Sequence, residues 1–136
     1  MIYLLKYNIT KEPSSQSYTY RCELDSQPFA DVINDNEVHV WYINTTKIND
    51  FALFKILNLD EITYSNTFIN NTFKKNYIIA RAYLKILLGL YLKQKPTNIN
   101  IIKSKNSKPF IPSCPIKFNI SHSNSIIMLS FIKNYE

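Results

Sequence analysis

At 136 residues, 46% of them hydrophobic, the chain is long enough for one domain with a real core and too apolar for disorder. Its net charge of +6 points to an anionic partner: phosphates, nucleic acid or an acidic protein. No run approaches the ~18 apolar residues of a membrane span, and the start, Met1–Lys6, is too short for a signal peptide. Cys22 and Cys114 are isolated thiols, so neither a disulfide framework nor a zinc site is expected and the chain reads as cytoplasmic. Abundant Lys, Asn, Ile and Tyr beside a single Gly resemble an A+T-biased coding sequence, and part of the basic excess needs no functional account.

Residues 1–10 alternate loosely as a strand would. Residues 1–36 form a loop-rich N-terminal segment, with a short strand at Tyr18–Cys22. Glu37–Ile43 is dense in β-branched and aromatic residues and apolar on both faces, which predicts a central strand. His39 lies in it and is read as having no carboxylate or second His nearby in sequence, which makes it a packed or edge histidine rather than a ligand. Thr45, Thr46 or Asn49 is placed to cap a helix through Phe51–Leu57. Asp60 and Glu61 then mark the first turn of another helix, where the macrodipole favours acids.

Residues 72–94 carry the clearest helical period. Phe73, Tyr77, Ala80, Leu84, Leu87, Leu88 and Tyr91 recur every three or four residues. Lys74, Arg81 and Lys85 fall on another stripe, which ordinarily means a solvated face. Pro96 ends the helix. Residues 99–103 read as a strand and Ser104–Pro115 as a loop carrying Lys105 and Lys108. Residues 116–120 and 126–133 are predicted to pair as a hairpin around a Ser121-His122-Ser123 turn. His122 at such a turn serves either as a turn cap or, with cations from other elements, as part of a phosphate site.

Lys108-Pro109, a short Pro-containing loop, then Phe118-Asn119-Ile120-Ser121-His122-Ser123 resembles the Sfp-type 4′-phosphopantetheinyl transferases. Val38-His39-Val40-Trp41 resembles that family's V-x-V-W strand, and Leu59-Asp60-Glu61 its L-S-x-D-E helix start. Ala80-Arg81 through Leu92 resembles its A-R-x-x-L-R helix. The likeness covers residues 37–136. It implies an α/β (α+β) fold: a small, mostly antiparallel sheet packed by one long helix, like one half of the transferase pseudo-dimer. It also implies that coenzyme A, the substrate, is held by Arg81, Lys108, Ser121 and His122, with Lys74, Lys75 and Lys85 as secondary contacts.

Three departures qualify the activity. The family's Gly before Lys-Pro is Ser107, at a place where Gly would permit a positive φ. Its arginines after Glu61 are replaced by Tyr64 and Thr67. Its G-[IV]-D-[IV]-E and W-x-x-K-E motifs, which supply the Mg²⁺ ligands and the base, have no counterpart before Glu136. No catalytic or metal residue is therefore assigned, and phosphoryl transfer needs both a metal and a base. The resemblance implies a coenzyme A-binding half of a transferase acting on a serine of a carrier protein, inactive alone. It would work with a second chain, self-associate through an apolar face, or survive as a remnant or fragment. The competing reading is a non-enzymatic basic binding module for RNA or an acidic protein. It rests on charge and on ten tyrosines, but no nucleic-acid motif supports it.

Overall fold

Alternating β-branched and aromatic residues make Glu37–Asn44 a strand, β3, and it is the middle strand of a five-stranded sheet. The computed structural model describes residues 2–8, 17–21 and 32–133. The other strands of that sheet are β1 (Ile2–Asn8), β2 (Ser17–Arg21), β6 (Ile116–Ser123) and β7 (Ile126–Lys133). Their order is β2-β1-β3-β7-β6, and each neighbouring pair is antiparallel. β4 (Ile102–Lys103) and β5 (Pro109–Phe110) form a separate small hairpin. The expected antiparallel sheet packed by one long helix is the architecture found, an α+β fold.

That helix, α2, runs Asn71–Leu92 and is capped by Asn70, whose side chain accepts from the Thr72 and Phe73 amides. Its sheet-facing residues, including Leu84, Leu87 and Leu88, share one core with Trp41, Ile43, Ile127, Leu129 and Phe131. Its other side meets a 3-10 helix over Asp50–Ile56, capped by Asn49. There Ile78 and Ala82 close a second cluster with Leu57. The short helix α1 (Leu59–Ser65) follows, and it too packs on α2. Because α2 is sandwiched, its basic stripe is not a solvated face: Arg81 and Lys85 are both buried.

The helix does not run to Pro96. It closes at Lys93, which takes a left-handed φ of 54°, and the Lys93 and Gln94 amides both donate to the Gly89 carbonyl. The chain then turns through a 3-10 segment, Pro96–Asn98. The strand predicted over 99–103 shrinks to Ile102–Lys103, because Ile99 is drawn into the main core instead.

β3 is pinned to α2 by polar contacts as well as by packing. Tyr91 Oη accepts from Trp41 Nε1 at 2.8 Å and lies 2.7 Å from His39 Nδ1. With the Trp41 N–H on one lone pair, the Tyr91 hydroxyl can donate to Nδ1 of the tautomer that carries its proton on Nε2. That nitrogen lies 3.1 Å from Glu37 Oε2. Burial pushes the His39 pKa down, and this outweighs the opposing pull of Glu37. Burial alone would raise the Glu37 pKa. The Asn34 amide, the His39 side chain and Lys6 together hold it below its ordinary value. His39 is thus a packed histidine, but the expectation of no nearby carboxylate fails: Glu37, two residues earlier on the same face of β3, stands beside it. The strands read at 1–10 and 18–22 correspond to β1 and β2, while residues 9–16 and 22–31, with Cys22, lie outside the described residues.

Candidate anion-binding site

The Ser-His-Ser stretch is not the turn it was predicted to be. Strand β6 continues through Ser123, with Ser121 opposite Met128, His122 opposite Ile127 and Ser123 opposite Ile126. The reversal is only Asn124-Ser125, and Asn124 takes a φ of 53°, which a tight hairpin requires and Asn tolerates. Side chains alternate along a strand. His122 therefore shares the α2-facing side of the sheet with Ile116, Phe118 and Ile120, while Ser121 and Ser123 fall on the opposite side. Asn76 Nδ2 donates to the Asn124 carbonyl at 3.0 Å and ties α2 to this turn.

Between the N-terminal half of α2, the β4–β5 hairpin and the end of β6 lies an open cavity of about 520 Å³. That is within the usual range for a small-molecule site. Its aromatic wall is built from Tyr64, Phe68, Phe73 and Tyr77. Tyr64 stacks edge-on against Tyr77 and Phe68, with ring centroids 4.9 and 5.4 Å apart. Arg81, Lys103 and His122 line the same cavity, with Ser107 at its rim. Phe73 is 59% exposed although it lies on the predicted apolar stripe; the cavity, not the core, receives it.

The cations differ in what already holds them. Arg81 Nε lies 3.5 Å from Glu61 Oε2, an ion pair rather than a hydrogen bond, and its guanidinium carbon lies 5.6 Å from the centre of the Tyr77 ring. Lys85 is 1% exposed and its Nζ donates to Glu61 Oε1. The Glu61 position also completes a capping box: Asn58 Oδ1 accepts from the Glu61 amide at 2.8 Å, and Glu61 Oε1 accepts from the Asn58 amide at 3.0 Å. Reading Glu61 as a helix start is therefore correct, yet the same carboxylate neutralises two buried cations. Lys103 lies 4.4 Å from the Tyr64 ring centre, a cation–π contact on the cavity wall. Burial, aided by Glu61 and Tyr64, raises the Tyr77 pKa against the pull of Arg81, so the phenol stays a neutral hydroxyl.

Of the residues singled out from the sequence, the cavity brings Arg81 and His122 together. Lys85 is sealed behind Glu61, and Lys74 Nζ is held by Asn66 Oδ1 at 2.9 Å. Lys75 lies on α2 outside the cavity wall. Ser121 is on the far face of the sheet, and Lys108 lines two smaller recesses beside β6. Ser107 adopts a φ of 60°, the conformation a Gly would take, with its amide donating to the Ser104 carbonyl. The β4–β5 turn is thus formed without Gly. Sequence reasoning missed Lys103 because it was placed in a strand; only the fold sets it over Tyr64, where the resemblance expects an arginine.

Charge is unevenly distributed. Residues 62–135 contain eleven Lys and Arg and no Asp or Glu. Among the described residues, His, Cys, Asp and Glu side chains nowhere gather in threes as a metal centre would need. None of the helices among the described residues is long and apolar enough to cross a membrane. Comparison with protein families, with curated proteins and with solved structures found no match.

Proposed function

We propose that the chain is a coenzyme A-binding half of a phosphopantetheinyl transferase-like protein, with the aromatic-walled cavity as its half-site. The observation that carries this reading is the meeting of Arg81, Lys103 and His122 at one cavity beside the Phe118–Ser123 strand. Coenzyme A offers two kinds of chemistry: phosphates for fixed cations, and an adenine ring for aromatic faces. The cavity has both. Arg81 is pre-oriented by Glu61, Lys103 by the Tyr64 ring, and Tyr77 keeps a donor hydroxyl. Ser121 and Lys108 do not reach this cavity and take no part in the proposed grip. The carrier protein, a second chain and a cytoplasmic setting belong to the same proposal.

The test is calorimetric titration of the chain with coenzyme A, with and without Mg²⁺, beside His122→Ala and Lys103→Ala. Binding that needs no Mg²⁺ and weakens in both variants supports the reading. No heat at millimolar coenzyme A overturns it.

A second reading, an anion-binding protein module, draws on the acid-free stretch of residues 62–135. Its mark is affinity for acidic polymers that falls steeply with salt.

A further inference from the structure

β6 is the outermost strand of the sheet, and its outer edge pairs with no other strand among the described residues. It pairs with β7 on one side over all eight residues, from Ile116↔Lys133 to Ser123↔Ile126, without a bulge. On its other side, no backbone hydrogen bond reaches residues 116–123 among the described residues. Proline stands just before the strand, at Pro115, and none lies within it. An edge of this length with no bulge and no internal proline is a ready template for another strand, because its outward N–H and C=O groups have no backbone partner among the described residues.

The two faces of that edge are chemically distinct. On the side facing α2 lie Ile116, Phe118 and Ile120; Ile116 and Phe118 line a recess of about 190 Å³ with Pro109, Phe110 and Ile111, and Lys108 and Lys117 stand at it too. On the opposite side Lys117, Asn119, Ser121 and Ser123 are exposed. Lys108 and Lys117 there share a second recess of about 250 Å³ with Val38, Ser130 and Ile132. Neither lysine has an ion-pair partner among the described residues, and Lys105 in the β4–β5 turn has none either. The nearest acids in sequence lie before residue 62 or after residue 135. Like charges left unpaired along one edge repel any second copy of that edge and attract an acidic strand.

The geometry points to β6 as a docking edge for an extended acidic segment of a partner protein, added antiparallel or parallel as a sixth strand, with acidic side chains alternating with apolar ones. The apolar residues of the segment enter the recess by Phe110 and Phe118, and its acids meet Lys117 and Lys108. Backbone hydrogen bonds supply the affinity and the alternation supplies the specificity. The period of two follows from the strand: alternate side chains of an added segment fall on opposite faces, so one set meets Phe110 and Phe118 and the other meets solvent beside Lys117. This deepens the second of the readings above and is independent of coenzyme A, since the edge lies outside the aromatic-walled cavity apart from Ile120, His122 and Pro109 at their boundary.

The experiment uses the full chain and a fluorescent peptide of alternating Glu and Val long enough to span β6. Its controls are the same peptide N-methylated at every second residue, a peptide of alternating Lys and Val, and a single-stranded oligonucleotide. The Glu–Val peptide is expected to bind and to slow amide hydrogen exchange in residues 116–123, while the N-methylated peptide fails to bind. The Lys108→Glu, Lys117→Glu double variant weakens the Glu–Val peptide about tenfold and gains binding to the Lys–Val peptide. That gain also shows the variant is folded. If the N-methylated peptide binds equally well, strand addition is overturned although acid binding stands. Protection elsewhere than residues 116–123 overturns it too. If the oligonucleotide binds and the peptide does not, the partner is a nucleic acid and the proposal falls. If neither binds, this inference and the second reading fail together.

Discussion

Gly89 shows how one residue can fix the end of an element. It is the chain's single glycine, and a Cβ there would lie 2.7 Å from the Gln94 carbonyl oxygen, a backbone atom that cannot swing away. Alanine is the better helix former by about 1 kcal/mol. Here the clash should win: Gly89→Ala is expected to lower stability by about 1–3 kcal/mol, as overpacking does, read from the urea midpoint. A more stable variant would refute the close approach. His39 sets a second residue-scale expectation. Its pKa is lowered by burial, so the unfolded chain takes up more protons in mildly acid solution. Its contribution is fully present above the unfolded value of 6.5 and is lost as pH falls from there towards the lower folded value. Glu37, also lowered, adds a further loss at and below its ordinary value of 4.5. Urea midpoints measured from pH 7 to pH 5 should fall, and His39→Gln should flatten that slope.

At the scale of elements, α1 and α2 are joined through one carboxylate. Glu61 caps α1, pairs with Arg81 and receives a hydrogen bond from Lys85, all at a buried position. Removing one partner of a buried pair leaves the other charge unpaired, at a cost of about 3–5 kcal/mol. Glu61→Ala is expected to fall in that range. Adding Lys85→Met should restore part of the loss, since the stranded ammonium is then gone. Chemical denaturation of the single and double variants checks this, and additive losses would mean that the pair is not coupled. The helical period of α2 was legible in its apolar spacing. The fate of its basic stripe was not, because burial of Arg81 and Lys85 depends on where α1 folds back. The β6–β7 hairpin was legible too, but its turn was placed three residues early. Polar residues mark turns in general, yet here they continue an edge strand, with Ser121 and Ser123 exposed on one face and His122 lining the cavity on the other.

For the whole molecule, the sheet has one face packed on α2 and another that the two core clusters do not include. Val38, Val40 and Tyr42 of β3 share that second face with Leu5 of β1 and with Met128 and Ile132 of β7. Val40 on it is buried and the others are half-buried, so a second copy docked there would cover the apolar surface that remains. Sedimentation velocity across the micromolar range should show dimers or larger species that Tyr42→Lys reduces; a clean monomer throughout would remove the expectation.

Local sequence determined the elements of this protein: the β-branched run of β3, the three- and four-residue spacing of α2, the Asn58–Glu61 start of α1 and the alternation on either side of Asn124-Ser125. Those signals are carried by near neighbours, and sterics and hydrogen bonding act on them directly. Only the tertiary structure decided which charges are spent inside and which stay exposed. Lys85 and Lys103 look alike as lysines in the sequence. One is sealed against Glu61 and the other stands over the Tyr64 ring at the cavity wall. The reason is that desolvation and pairing depend on distance in space, and the chain separating these groups carries no local mark of where it will return.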